Sequence, residues 1–275
     1  MPADPSPEAQ SSLVARLRAA GCVFAEDEAQ LLIAAARTPA DLAAMADRRA
    51  AGLPLEQVIG WAEFCGLRIA VAPGVFVPRR RTEFLVRRAV ALAKGGPAPA
   101  GPLVVVDLCC GTGAVGAALA ASLHSANVDA EVYASDVDPA AVACARRNLE
   151  AAGGHVYQGD LYAPLPAALR SRVTLLAANV PYIPTGQIAL LPAEARLHEP
   201  RVALDGGADG LDVLRRVAAA APEWLAPGGH LLTETSERQA PRAAEIMAGS
   251  GLAAQVATSD ELSATVVTGT RPAPR

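Results

Sequence analysis

The chain has 275 residues, 52% of them hydrophobic, and a formal net charge of −4. That length buries a sizeable core in one or two domains, and the acidic balance gives no global attraction to nucleic acid. Five cysteines without metal or disulfide spacing point to reduced thiols in a cytoplasmic protein, four scattered histidines fit no metal pattern, and no apolar run is long enough to span a bilayer.

Residues 1–7 are acidic and Pro-rich, without a basic start or apolar centre, and residues 1–10 are expected to be disordered. Leu13, Val14, Leu17 and Ala20 recur at helical spacing, which predicts a helix over residues 11–20 that Gly21 stops. A second helix is expected over residues 27–36. Thr38 and Pro39 read as the N-cap and first position of a third, reaching residue 51. Residues 1–51 are therefore read as a helical domain, and residues 52–80 as a linker containing a β-hairpin near residues 64–71. A helix over residues 81–92 leads into the second domain, residues 81–275, after which a Gly/Pro loop at 95–102 delays the first strand.

From there strands and helices alternate, the pattern of a mostly parallel, doubly wound α/β sheet. Val104, Val105 and Val106 end in Asp107, followed by Cys109-Cys110-Gly111-Thr112-Gly113 and a helix-like Ala/Leu segment over 114–123. Strand, Gly-containing turn and helix make the first unit of a nucleotide-binding sheet, and glycine lets the backbone approach a ligand closely. Asp107 suits two roles, contacting a cofactor or bonding the amides of the turn. Cys109 and Cys110 read as packed small hydrophobes. A second strand over 131–136 ends in Asp136, placed to accept both hydroxyls of a ribose, and Asp138-Pro139 caps the helix reaching residue 152. Gly159-Asp160-Leu161 follows the short strand at Val156-Tyr157 and is placed to edge an adenine. The apolar run 173–178 ends in Asn179-Val180-Pro181-Tyr182. Ligands of open α/β sheets bind at such strand ends. A planar carboxamide there offers an acceptor and a two-proton donor to an incoming amide or amino group. A helix over 211–225 is expected to stop at Pro227-Gly228-Gly229, followed by a strand over 230–235 and a terminal hairpin of 254–259 and 263–268.

The spacing Gly111-x-Gly113-x-x-Gly116 fits the dinucleotide register numerically, but the strand-end acid Asp107 argues against a pyrophosphate. Asp107, the Gly-x-Gly turn, Asp136 and Asp160 together resemble the sites of S-adenosylmethionine-dependent methyltransferases. With Asn179-x-Pro181-Tyr182 added, the chain from about residue 10 onward resembles the protein-(glutamine-N5) methyltransferases, which modify peptide-chain release factors and a ribosomal protein. Phe76-Val77-Pro78-Arg79-Arg80-Arg81-Thr82-Glu83 and His198-Glu199-Pro200-Arg201 are similar to further stretches of that family. Two departures stand out: Val180 replaces the first Pro of the usual Asn-Pro-Pro-Tyr, which looks like a related branch of the family, and Cys109 replaces a Gly.

The resemblance implies a seven-stranded class I methyltransferase sheet with a small N-terminal helical domain that reads a protein substrate. It implies S-adenosyl-L-methionine as cofactor, leaving S-adenosyl-L-homocysteine, held by Val77, Pro78, Thr82, Asp107, Cys109, Cys110, Gly111, Thr112, Gly113, Asp136, Val137, Asp160, Leu161 and Asn179. Asn179, Pro181 and Tyr182 would be the catalytic residues, meeting the substrate glutamine together with Val180. No metal, no membrane and no direct nucleic-acid partner are expected, and a monomer is the default. Two other readings stay open: an amino-methyltransferase acting on a flipped adenine, and a cofactor-binding protein without this activity.

Overall fold

A computed structural model describes residues 6–95 and 101–273. Four helices open the chain: α1 (Pro7–Ala19), α2 (Ala25–Ala35), α3 (Pro39–Ala50) and the short α4 (Leu55–Ile59). Thr38 caps α3, its hydroxyl accepting the Asp41 N–H at 3.1 Å, with Pro39 in the first turn as expected. Gly21 follows α1 with φ +92°. Leu17, Ala29, Leu32, Met45 and Val58 close a core of their own between these helices. The expected disorder over residues 1–10 is corrected in part: Ser6 caps α1, so residues 7–10 are helical because the cap satisfies the first-turn amides, while residues 1–5 lie outside the described residues. α4 was not foreseen; it fits between Pro54 and a left-handed Gly60.

The expected hairpin is β1 (Trp61–Phe64) against β2 (Leu67–Ala70), in the register Trp61↔Ala70 and Phe64↔Leu67. Both turn residues, Cys65 and Gly66, have positive φ, the turn geometry that matches strand twist. A 3₁₀ turn, Arg80–Thr82, then enters α5 (Glu83–Gly95). Of the anticipated Gly/Pro loop, residues 96–100 lie outside the described residues.

The second half alternates β3 (Leu103–Leu108), α6 (Ala114–Ser125), β4 (Ala130–Asp136), α7 (Pro139–Leu149), β5 (His155–Gln158) and β6 (Val173–Ala178). After α8 (Ala193–His198) and α9 (Arg201–Leu204) come α10 (Asp212–Trp224), β7 (Leu225–Thr235), α11 (Ala240–Gly249), β8 (Ala253–Ser259) and β9 (Ala264–Thr270). The seven-stranded sheet has the order β5-β4-β3-β6-β7-β9-β8, parallel from β5 to β7 and antiparallel at β9 and β8. Side chains of β3 alternate between the two cores, Val104, Val106 and Leu108 on one face, Leu103 and Val105 on the other. Both faces are covered by helices, which is why the strand is apolar but for Asp107 near its end.

Strand order reverses between β3 and β6, and this switch point sets Leu108 beside Ala178, so Asp107 and Asn179 share one end of the sheet. One expectation fails here. Pro227-Gly228-Gly229 does not end α10, which stops at Trp224; it lies within β7. Val173 pairs with Leu225 but Leu175 with His230, so the three residues are an excursion of β7 against β6 rather than a loop.

Candidate active site

The carboxyl ends of β3, β4 and β6 surround a cavity of about 410 Å³, lined on its floor by the turn after β3 and on one wall by the loop after β6. Its size suits a small organic ligand. Asp107 at the end of β3 is buried, and its Oδ2 accepts the Gly116 N–H at 2.9 Å, tying the strand to the first turn of α6. Burial raises its pKa to about 7, opposed by the Gly116 N–H and reinforced by the charge of Asp136. The mixed role expected of Asp107 thus has its structural half in place. The turn itself is left-handed at Cys109, Gly111 and Gly113, with φ of +54°, +53° and +76°. A Cβ at Gly113 would stand 3.0 Å from Ala145, so glycine is required there by space as well as torsion.

Asp136 does more than face the cavity. Its Oδ2 accepts the Gly111 N–H at 2.8 Å and its Oδ1 the Asp138 N–H at 3.0 Å, so the carboxylate also holds the glycine turn against β4. Burial shifts its pKa upward despite those bonds. Asp138 caps α7 through the Ala140 N–H, as expected. Asp160 meets Arg216 of α10 in an ion pair at 2.5 Å, with both side chains more than half exposed at the cavity edge. Leu161 is buried and left-handed, its carbonyl accepting the Ser135 hydroxyl at 2.7 Å. Thr112, Val137, Pro78 and Cys110 also line the cavity. Two expected residues stand differently. Val77 packs with Ala62 and Val71 behind the wall instead of lining it, its N–H given to Glu199. Thr82 lines the wall, but its hydroxyl proton goes to Glu234 at 2.6 Å.

The loop after β6 carries the acceptor geometry. Among the described residues Asn179 makes no side-chain hydrogen bond, and its Oδ1 is buried without a partner. An unmatched buried acceptor costs about 1–3 kcal/mol, a cost that a ligand N–H would remove. Val180 packs into the core beside Leu176, and Pro181 is buried next to it. The Tyr182 hydroxyl accepts from Arg81 at 2.6 Å and donates to Glu234 at 3.1 Å. Burial, and then the Glu234 charge, push its ionisation upward.

Sequence reasoning placed Glu234 at the cleft or in support of the loop around Asn179, and Arg81 in a basic run, without joining either to Tyr182; it gave no role to Arg216 or to Gln239, whose amide donates to the Tyr182 carbonyl at 2.9 Å. The available signal was position: Glu234, like Asp107 and Asp136, is an acid near the carboxyl end of a strand. Glu199 is a further buried carboxylate on the cavity. Its Oε1 accepts from Arg79 at 2.6 Å, and its Oε2 has no partner. Among the described residues no group of three His, Cys, Asp or Glu could hold a metal, and no helix is long and apolar enough to cross a membrane.

The site fits a cationic nucleoside better than a dinucleotide. Three carboxylates, Asp107, Asp136 and Asp160, stand round the cavity, and Gly116, the last glycine of the dinucleotide register, turns its Cα toward Asp107 Oδ2, only 3.3 Å from where a Cβ would sit. A pyrophosphate there would meet negative charge. Comparison with known proteins agrees. The Methyltransferase small domain family matches residues 82–183. The release factor glutamine methyltransferase of Geobacter sulfurreducens is 41% identical over 207 residues, covering 74% of this chain and 68% of its own. A Streptomyces pristinaespiralis 4-amino-L-phenylalanine/4-methylamino-L-phenylalanine methyltransferase is 38% identical over 197 residues, covering 70% of this chain and 64% of its own. In fold, the Thermus thermophilus 16S rRNA N2 G1207 methyltransferase, solved with AdoMet and guanosine, superposes with a TM-score of 0.53 at 20% identity, covering 77% of this chain and 49% of that one. With a seven-stranded sheet switched at Asp107 and Asn179, an Asn-x-Pro-Tyr loop facing its cavity, and that degree of identity to Geobacter's enzyme, the chain belongs to the release factor glutamine methyltransferase family.

Proposed function

We propose that this protein methylates the side-chain nitrogen of a glutamine in a peptide-chain release factor, using S-adenosylmethionine. The observation that carries the reading is the unpartnered Asn179 Oδ1 at the cavity. The cofactor supplies an electrophilic methyl on a sulfonium. Asp136 and Asp160 would hold its ribose and adenine, and the turn from Cys109 to Gly113 would pass beneath it.

An amide nitrogen is a weak nucleophile because its lone pair is delocalised into the carbonyl. Asn179 Oδ1 and the backbone carbonyl of Val180 are the two acceptors for its two N–H protons. Holding both protons aims the nitrogen at the methyl and favours the charge that builds on it. Val180 keeps the carbonyl that a proline would offer, at the expense of one more free torsion in the loop. The ring of Tyr182 walls the acceptor pocket. The surplus proton leaves to water after transfer, so no side chain is assigned as a base.

The same acceptor pair would take the amino group of an arylamine, as the Streptomyces relative's substrate name suggests for that enzyme. Two observations favour a protein substrate here. Leu190 and Leu197, on the segment that supplies Leu191 and Ala195 to the cavity, are 81% and 64% exposed, an apolar rim fit for a protein surface. The N-terminal helices reach that rim through the Arg49–Glu194 ion pair at 2.8 Å. Free cysteines and a translation substrate fit a cytoplasmic protein.

The test uses purified release factor with labelled cofactor, followed by mass spectrometry for one added methyl on glutamine. N179A should bind S-adenosylhomocysteine as the native protein does and lose about 10²–10³ in transfer rate. Unchanged transfer by N179A would refute the role given to the carboxamide.

A further inference from the structure

We propose that Glu234 is a positioning residue for methyl transfer: it clamps the Tyr182 ring through the hydroxyl and ties it to the segment, Arg81 and Thr82, that leads into the catalytic sheet. The inference rests on the function proposed above for the loop that carries Asn179 and Tyr182.

Glu234 is 2% exposed near the end of β7, next to β6. Its Oε1 accepts Arg81 Nε at 2.8 Å and the Tyr182 hydroxyl at 3.1 Å, while its Oε2 accepts the Thr82 hydroxyl at 2.6 Å. The tyrosine oxygen already receives an Arg81 Nη2–H at 2.6 Å. Its single proton is therefore directed to the carboxylate, and both the position and the rotation of the hydroxyl are determined. The residue before Glu234 acts on the same loop from below: the Thr233 hydroxyl donates to the Ala178 carbonyl at 2.8 Å, one residue ahead of Asn179. Adjacent residues of β7 thus grip the loop at both ends. Only Val180 and Pro181 separate Asn179 from Tyr182, and Val180 leaves a backbone torsion free that a proline would hold. The side-chain clamp on Tyr182 supplies rigidity that the backbone lacks.

Methionine at 234 keeps much of the side-chain volume and offers neither carboxylate oxygen, so none of the three partners is served. E234M is expected to keep its circular dichroism and to bind S-adenosylhomocysteine within about twofold of native, yet to lose about 10²-fold in kcat, as a misplaced wall would cause. Y182F, which removes only the hydroxyl, should lose a similar factor, and the double variant should lose no more than the worse single one. A second readout needs no turnover. The chain has four tyrosines, so ¹³Cζ-labelled tyrosine gives four resonances, with the Tyr182 signal assigned by its absence in Y182F. E234M should shift that signal. Losses that multiply in the double variant, or an unmoved Tyr182 resonance in E234M, would overturn the clamp. The carbon signal reports on the clamp even if a release factor proves not to be the substrate.

Discussion

Asp107 offers a pH test whose sign follows from its surroundings. Burial first, and then the charge of Asp136, raise its pKa from 3.8 to about 7, against the opposing Gly116 N–H. Between those values the folded protein keeps a proton that the unfolded chain has released, so this group makes stability fall as pH climbs through the interval. A cationic ligand reverses the preference, because it favours the carboxylate. With a pKa of about 7, roughly one tenth of Asp107 is charged at pH 6 and roughly nine tenths at pH 8. S-adenosylmethionine, whose sulfonium is positive at every pH, should then bind about tenfold more tightly at pH 8 than at pH 6. D107N keeps an oxygen for the Gly116 N–H and removes the titration. Its affinity should change by less than about twofold over the same range, and its stability should no longer decline with pH on this account. Calorimetric titration at pH 6, 7 and 8 measures both proteins. A native affinity that is flat with pH, or a slope of the same size in D107N, would refute the reasoning.

Three other outcomes follow from the packing. G113A places a Cβ 3.0 Å from Ala145 at a φ of +76° and should cost about 1–3 kcal/mol in denaturant unfolding, with weakened cofactor binding; a loss within error would show that the turn relaxes freely. Arg49 is 11% exposed and bonds Glu28 through Nε at 2.6 Å and Nη2 at 3.1 Å, the Leu53 carbonyl at 2.9 Å and Glu194 at 2.8 Å. R49A leaves Glu28 buried without its cation and should destabilise by about 3–5 kcal/mol, read as a fall in Tm; a loss below about 1 kcal/mol would mean water reaches the carboxylates. The paired change L190D and L197D should raise KM for a release factor severalfold and leave S-adenosylhomocysteine affinity unchanged. Equal KM values would remove the apolar rim from the recognition surface.

What could be read from the amino acids alone divides by distance along the chain. The turn after β3 was legible because its parts are neighbours: a β-branched run, an acid and two glycines are close enough for local chemistry to predict them. Cys109 read as a small hydrophobe standing where the family has Gly, and its strain showed only in the backbone, at a φ of +54° where glycine is easy and a residue with a Cβ costs about 1 kcal/mol. Pro227-Gly228-Gly229 has turn chemistry, and the error was in its partner: β6 lies opposite, so the three residues bulge within a strand instead of ending a helix. α8 and α9 have six and four residues, too short to leave a helical period, and depend on contacts such as Arg49–Glu194. Glu234 is the extreme case. Its partners Arg81, Thr82 and Tyr182 lie 153, 152 and 52 residues away, and no spacing rule connects them. They meet because a parallel sheet puts β7 beside β6 and α5 packs against both. The groups that bind are therefore written locally, in turns at strand ends, while the groups that hold them still are assembled by topology. A variant that spares every motif residue and changes only Glu234 separates the two kinds of information experimentally.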